Sequence, residues 1–143
     1  MAPSSGPSRA RHVIEEHTGE LAIRLEAPTL AALFEEAGRA LSGRMRGRAL
    51  RSAPRAELGI AVSAPDREAL LVEWLNELVF RAETEHVLFT DFRVERLSAR
   101  ELSATAFGRR VGRLRNPVKA ATLHGLSVAE GARGAAATVI LDV

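Results

Sequence analysis

Residues 66–81 read DREALLVEWLNELVFR. Leu70, Leu71, Trp74, Leu75, Leu78 and Val79 recur at intervals of three and four, which sets them on one face of an α-helix. Asp66 stands as its N-cap behind Pro65, and Glu68 in the first turn complements the positive end of the helix dipole. Arg67, Glu73, Glu77 and Arg81 fall largely on the opposite face, so the carboxylates from Glu73 to Glu85 read as a solvated surface rather than a metal cluster. A helix this apolar needs a partner layer, and the flanking sequence supplies mostly strands.

Upstream, Leu58, Ile60 and Val62 alternate in a short strand that Pro65 closes. Residues 42–55, SGRMRGRALRSAPR, hold five arginines, two glycines, a proline and no acid, and read as a basic loop. Before it, Thr29 N-caps a helix whose stripe is Leu30, Leu33, Phe34, Ala37 and Leu41. From His12 to Glu26 the pattern is strand-like: Val13 and Ile14, a polar break from Glu15 to Glu20, then alternating Leu21, Ile23 and Leu25. Downstream come four candidate strands, Val87 to Leu97, Leu102 to Phe107, Val118 to Val128 and Ala135 to Val143. Gly108, Gly112, Asn116-Pro117, Gly131 and Gly134 punctuate them. The order β-β-α-β-α-β-β-β-β predicts a single α+β domain, residues 12–143, with two helices packed on a mostly antiparallel sheet. Residues 1–11, rich in Pro, Ser, Gly and Ala, read as a disordered tail.

The chain has 143 residues, 46% hydrophobic and 27% charged, with 20 bases against 18 acids and no cysteine. Disulfides, zinc-thiolate and iron–sulfur centres and cysteine nucleophiles are thereby excluded, and metal ligation falls to carboxylate and imidazole. Nineteen of the bases are arginine, Lys119 being the exception, and 25 residues are alanine, a skew ascribed to a GC-rich coding bias. No secretory signal pattern and no run long and apolar enough for a transmembrane helix occurs, so a cytoplasmic protein without a membrane partner is expected. No GxGxxG, P-loop, GxSxG or HExxH motif is found. A triad from Ser127, His124 and Asp142 has no support in its spacing.

Four stretches carry more specific information: HTGELAI at 17–23, LLVEWLNELVF at 70–80, FTDF at 89–92 and VKAATLHGL at 118–126, with VILDV at 139–143. In this order, from about His12 to the last residue, they resemble the archease family. The resemblance implies an α+β domain that is not itself an enzyme. It would be a protein cofactor activating the GTP- and manganese-dependent RNA ligase, which joins 3′-phosphate or 2′,3′-cyclic-phosphate ends to 5′-hydroxyl ends in tRNA splicing and RNA repair. It would promote guanylylation of that ligase and repeated turnover, meeting RNA indirectly through it.

The resemblance further implies a divalent-metal site, for Ca, Mg or Mn, on acidic positions that correspond to Glu20 and Asp142. His17 and His124 are candidate neighbours, and Lys119 a candidate partner or phosphate contact. Two departures stand out. Glu20 replaces the family's usual aspartate, moving the carboxylate by about one C–C bond length, and Arg115-Asn116 stands where a histidine is often found. An alternative role is a chaperone-like modulator of another tRNA-processing enzyme, such as a tRNA methyltransferase. A stand-alone metal-dependent hydrolase is disfavoured because few convergent acid and base groups are visible.

Overall fold

The structure, a computed structural model, describes residues 6–49 and 55–143. In chain order it runs β1 (Arg11–His17), β2 (Glu20–Ala27), α1 (Leu30–Ser42), β3 (Arg46–Ala49), β4 (Arg55–Ser63) and α2 (Arg67–Glu85), then β5 (Val87–Leu97), β6 (Glu101–Arg115), β7 (Ala120–Gly131) and β8 (Gly134–Asp142). Both helix starts form as their sequences dictate. The Thr29 hydroxyl accepts from the N–H of Ala32 at 3.1 Å, and the Asp66 carboxylate from that of Ala69 at 2.8 Å. Every residue of the two predicted apolar stripes is buried.

The strands make two sheets in which all pairings are antiparallel. The first has the order β1-β2-β8-β7. In the second, β6 is the common partner: β4 pairs its Glu101–Arg109 half, β5 pairs Leu102 to Arg110, and β3 pairs Val111 to Arg115. Each helix contacts both sheets, which accounts for the width of the buried surface on each. The Trp74 Nε1–H donates to the Phe34 carbonyl at 2.9 Å, tying the helices together inside the core, and the Trp74 ring meets Phe92 edge-on at 5.7 Å.

Three sequence expectations are corrected. The basic stretch at 42–55 is not all loop: Ser42 ends α1 and residues 46–49 form β3, while 50–54 lie outside the described residues, as do residues 1–5 of the expected tail. Residues 46–49 become a strand because the far half of β6 offers them an unpaired edge, a non-local cause that composition does not reveal. Next, Gly108 and Gly112 do not end a strand, since β6 runs through both. A Cβ on Gly108 would lie 2.4 Å from the Leu88 carbonyl oxygen, beside the β5 bulge at Phe89–Asp91, so this glycine marks a close backbone approach. Last, the polar break after Ile14 is strand: β1 continues to His17 and turns at Thr18-Gly19 directly into β2.

Where α1 crosses β5, a Cβ on Gly38 would stand 2.8 Å from the Phe92 ring, which Trp74 and Phe89 hold from the other sides. Helix propensity favours alanine here by about 1 kcal/mol, whereas overpacking a fixed ring costs about 1–3 kcal/mol. Gly38→Ala is therefore expected to lower the midpoint of thermal unfolding, a sign opposite to that of propensity alone.

Candidate functional site

The β1–β2 hairpin closes through Gly19, whose φ of +77° supplies the left-handed conformation the two-residue turn needs. On one side of the turn His17 faces Glu20 in register, and across the next pairing Glu20 faces Asp142. Asp142 in turn faces Ala120 of β7. Directly opposed residues of antiparallel strands point to the same side of a sheet, with Cβ atoms about 4.5–5.5 Å apart. His17, Glu20, Asp142 and Ala120 thus form one row across the end of the first sheet. The row lies on the outer face, because Leu21 and Leu141, the next residues inward, belong to the core.

Backbone bonds fix the row. The N–H of Val143 donates to the Gly19 carbonyl at 3.1 Å, and that of Lys119 to the Asp142 carbonyl at 2.8 Å. Glu20 is half-buried, whereas His17, Asp142 and Lys119 are exposed. The two predicted carboxylates are therefore brought together, with His17 next in line, while Lys119 is joined to Asp142 through the backbone. His124 is not in the row. It sits in a bulge between Thr122 and Ser127, where β7 carries more residues than the facing stretch of β8. Ser127 faces Thr138, four residues along β8 from Asp142 and so about 13 Å away, too far for the triad.

Hard oxygen donors suit Ca, Mg or Mn, and a facing carboxylate pair fits such an ion as part of a coordination shell. Among the described residues no three His, Asp or Glu side chains gather to enclose a cation. Two protein carboxylates match the habit of Mg²⁺, which keeps waters and takes the rest of its shell from substrate phosphates, better than the six to eight oxygens of Ca²⁺.

A second charged cluster escaped the sequence reading. Glu36 of α1, 8% exposed, accepts from His12 Nδ1 of β1 at 2.6 Å and from Arg39 Nε at 2.9 Å, and Arg39 reaches Asp91 of β5 at 2.9 Å. Burial lowers the Arg39 pKa, but the hydrogen bonds and charges of Glu36 and Asp91 outweigh it, and the net shift is upward. The cluster ties both sheets to α1. A signal was present, since Glu36 lies three residues after Leu33 and next to Ala37 at the edge of the apolar stripe, where a carboxylate requires partners.

The archease protein family model matches residues 13–143. An archease of Methanosarcina acetivorans is 30% identical over 142 residues, covering 90% of this chain and 92% of the relative. That of Methanothermobacter thermautotrophicus is 33% identical over 120 residues, covering 80% and 85%. The solution structure of Methanobacterium thermoautotrophicum protein 1598 superposes with a TM-score of 0.70 at 29% identity, over 92% of this chain and 98% of its own. A Thermotoga maritima crystal structure, described as an archease and possible chaperone, shares the fold with a TM-score of 0.63 at 20% identity, over 90% and 94%.

The two clusters should separate in unfolding experiments. Glu36→Ala strips His12 and Arg39 of their buried partner and is expected to cost about 2 kcal/mol, read from the urea midpoint. Glu20→Gln and Asp142→Asn, at the outer sheet end, are expected to change stability by less than about 0.5 kcal/mol.

Proposed function

Because the chain belongs to the archease family, we propose that it serves as a non-catalytic protein cofactor of the GTP- and manganese-dependent RNA ligase that joins 3′-phosphate or 2′,3′-cyclic-phosphate ends to 5′-hydroxyl ends. Its work there is to promote guanylylation of the ligase and so permit repeated turnover in tRNA splicing and RNA repair.

One observation carries this reading: Glu20 and Asp142 face each other in register at the outer end of a sheet, beside a tight turn. A carboxylate pair at a tip can enter a partner's active site, where a pair buried in the core could not. Each carboxylate offers hard oxygen ligands, and together they leave most of a divalent shell to water, to the ligase and to GTP phosphates. When bound there, the cation would neutralise charge developing on the transferring phosphoryl group. Glu20, half-buried between His17 and Asp142, orients the pair; the more exposed Asp142 reaches outward. Lys119, on the strand side of Asp142, adds a cation for a phosphate oxygen.

The Glu20→Gln/Asp142→Asn double variant is expected to keep its fold and its binding to the ligase while losing most stimulation of guanylylation. Guanylylation followed with labelled GTP, alongside a pull-down, checks both. Stimulation equal to that of the unsubstituted chain would sink the carboxylate reading. Recovery of a tRNA methyltransferase in place of the ligase would favour the chaperone-like role.

A further inference from the structure

The net charge of +2 conceals a segregation. Residues 42–56 and 102–129 hold ten of the twenty bases and none of the eighteen acids, so the rest of the chain is strongly acidic. The fold brings these two stretches together: β3 pairs the far half of β6, and β4 begins opposite its middle. The register then sets like charges face to face, Arg46 opposite Arg115 and Arg55 opposite Arg109. Directly opposed like charges destabilise a sheet. Arg48, Arg113, Arg115, Arg55 and Arg109 are exposed, and none has a carboxylate within ion-pair distance among the described residues. Two neighbours are partly committed, since Arg46 donates to the Gly43 and Met45 carbonyls and Arg110 to that of Glu85.

We propose that β3, the start of β4 and the Arg109–Arg115 stretch of β6 between them form a basic ribbon that binds the phosphate backbone of RNA directly. Its two arginine pairs stand six residues apart on β6, about 20 Å along the strand, which one phosphate cannot bridge and a chain of phosphates can. Guanidinium forks suit phosphate oxygens, and an anion placed between opposed arginines relieves their repulsion. An acidic protein fits less well. Protein interfaces are anchored by buried apolar and aromatic side chains, and among the described residues the exposed large hydrophobics, Val13, Phe80 and Leu123, lie outside the ribbon. The described ribbon residues include no aromatic, which favours contact with the backbone rather than with stacked bases, hence binding indifferent to sequence. Arg115 precedes by four residues Lys119, whose N–H donates to the Asp142 carbonyl, and Arg44, just before β3, bonds Glu16, the neighbour of His17, at 2.7 Å. The choice of RNA among polyanions rests on the ligase reading, whereas the affinity for phosphate does not.

The test uses the full chain alone and a fluorescein-labelled RNA hairpin, followed by anisotropy across a salt series. Four phosphate contacts predict that log K falls against log salt with a slope of about −3 to −4. Arg109→Gln/Arg115→Gln, one arginine from each opposed pair, should flatten that slope by about 2 and weaken binding at least tenfold, without lowering the thermal midpoint, because both like-charge oppositions are relieved. Arg109→Lys/Arg115→Lys, which retains the charge, should keep most of the slope. Failure to bind at low salt, or a Gln variant that binds like the unsubstituted chain, would overturn the proposal. So would a poly-glutamate peptide or a DNA duplex of equal length that binds tenfold tighter than the RNA. Because no ligase is present, loss of this binding and loss of guanylylation stimulation are scored separately.

Discussion

Most of the molecule hangs on one pairing, the antiparallel register of β2 with β8 from Glu20–Asp142 to Ala27–Ala135. These strands come from opposite ends of the sequence. Their union makes the first sheet continuous, gives each helix an apolar wall, and aligns the two carboxylates. The constraint is stringent because the side-chain period of a strand is two. A slip of one residue would send Leu21, Ile23 and Leu25 to water and turn Glu20 into the core. Burial of those apolar side chains therefore fixes the geometry of the polar pair as well.

What was legible in the sequence followed from local physics. Helix caps at Thr29 and Asp66, apolar stripes at helical spacing and strand alternation after Glu20 depend on residues within a few positions of one another, and all appear as read. The archease resemblance pointed to Glu20 and Asp142, but only the register brings them face to face. What was not legible is non-local. Residues 46–49 become strand only because β6 is long enough to receive them, and Gly108 looks like a stop when it is a place where two backbones nearly touch. The His12–Glu36–Arg39–Asp91 cluster spans three elements, so its members carry no common pattern along the chain.

Arginine abundance illustrates how composition and arrangement differ. Read as a coding bias, it says little. Elsewhere on the surface several arginines are matched, as in Arg11–Glu26, Arg67–Glu130 and Arg81–Glu85, although Arg96, Arg100 and Arg133 are not among the described residues' ion pairs. At Arg109 and Arg115 of β6 they are opposed by arginines of β4 and β3 instead. The same residue type thus serves as a neutralised surface group on one part of the molecule and as a concentrated positive field on another, which matters for encounter rates with anionic partners.

The place of β8 in the first sheet also has a kinetic side. It is synthesised after the other seven described strands, yet it occupies an interior position between β2 and β7. During vectorial synthesis the β1–β2 hairpin must wait with one edge bare while the intervening elements emerge, and closure then spans nearly the whole chain. Such high contact order slows the search and prolongs exposure of an unpaired edge. The carboxylate row is consequently among the last features to be assembled, so a nascent or partly folded chain lacks it.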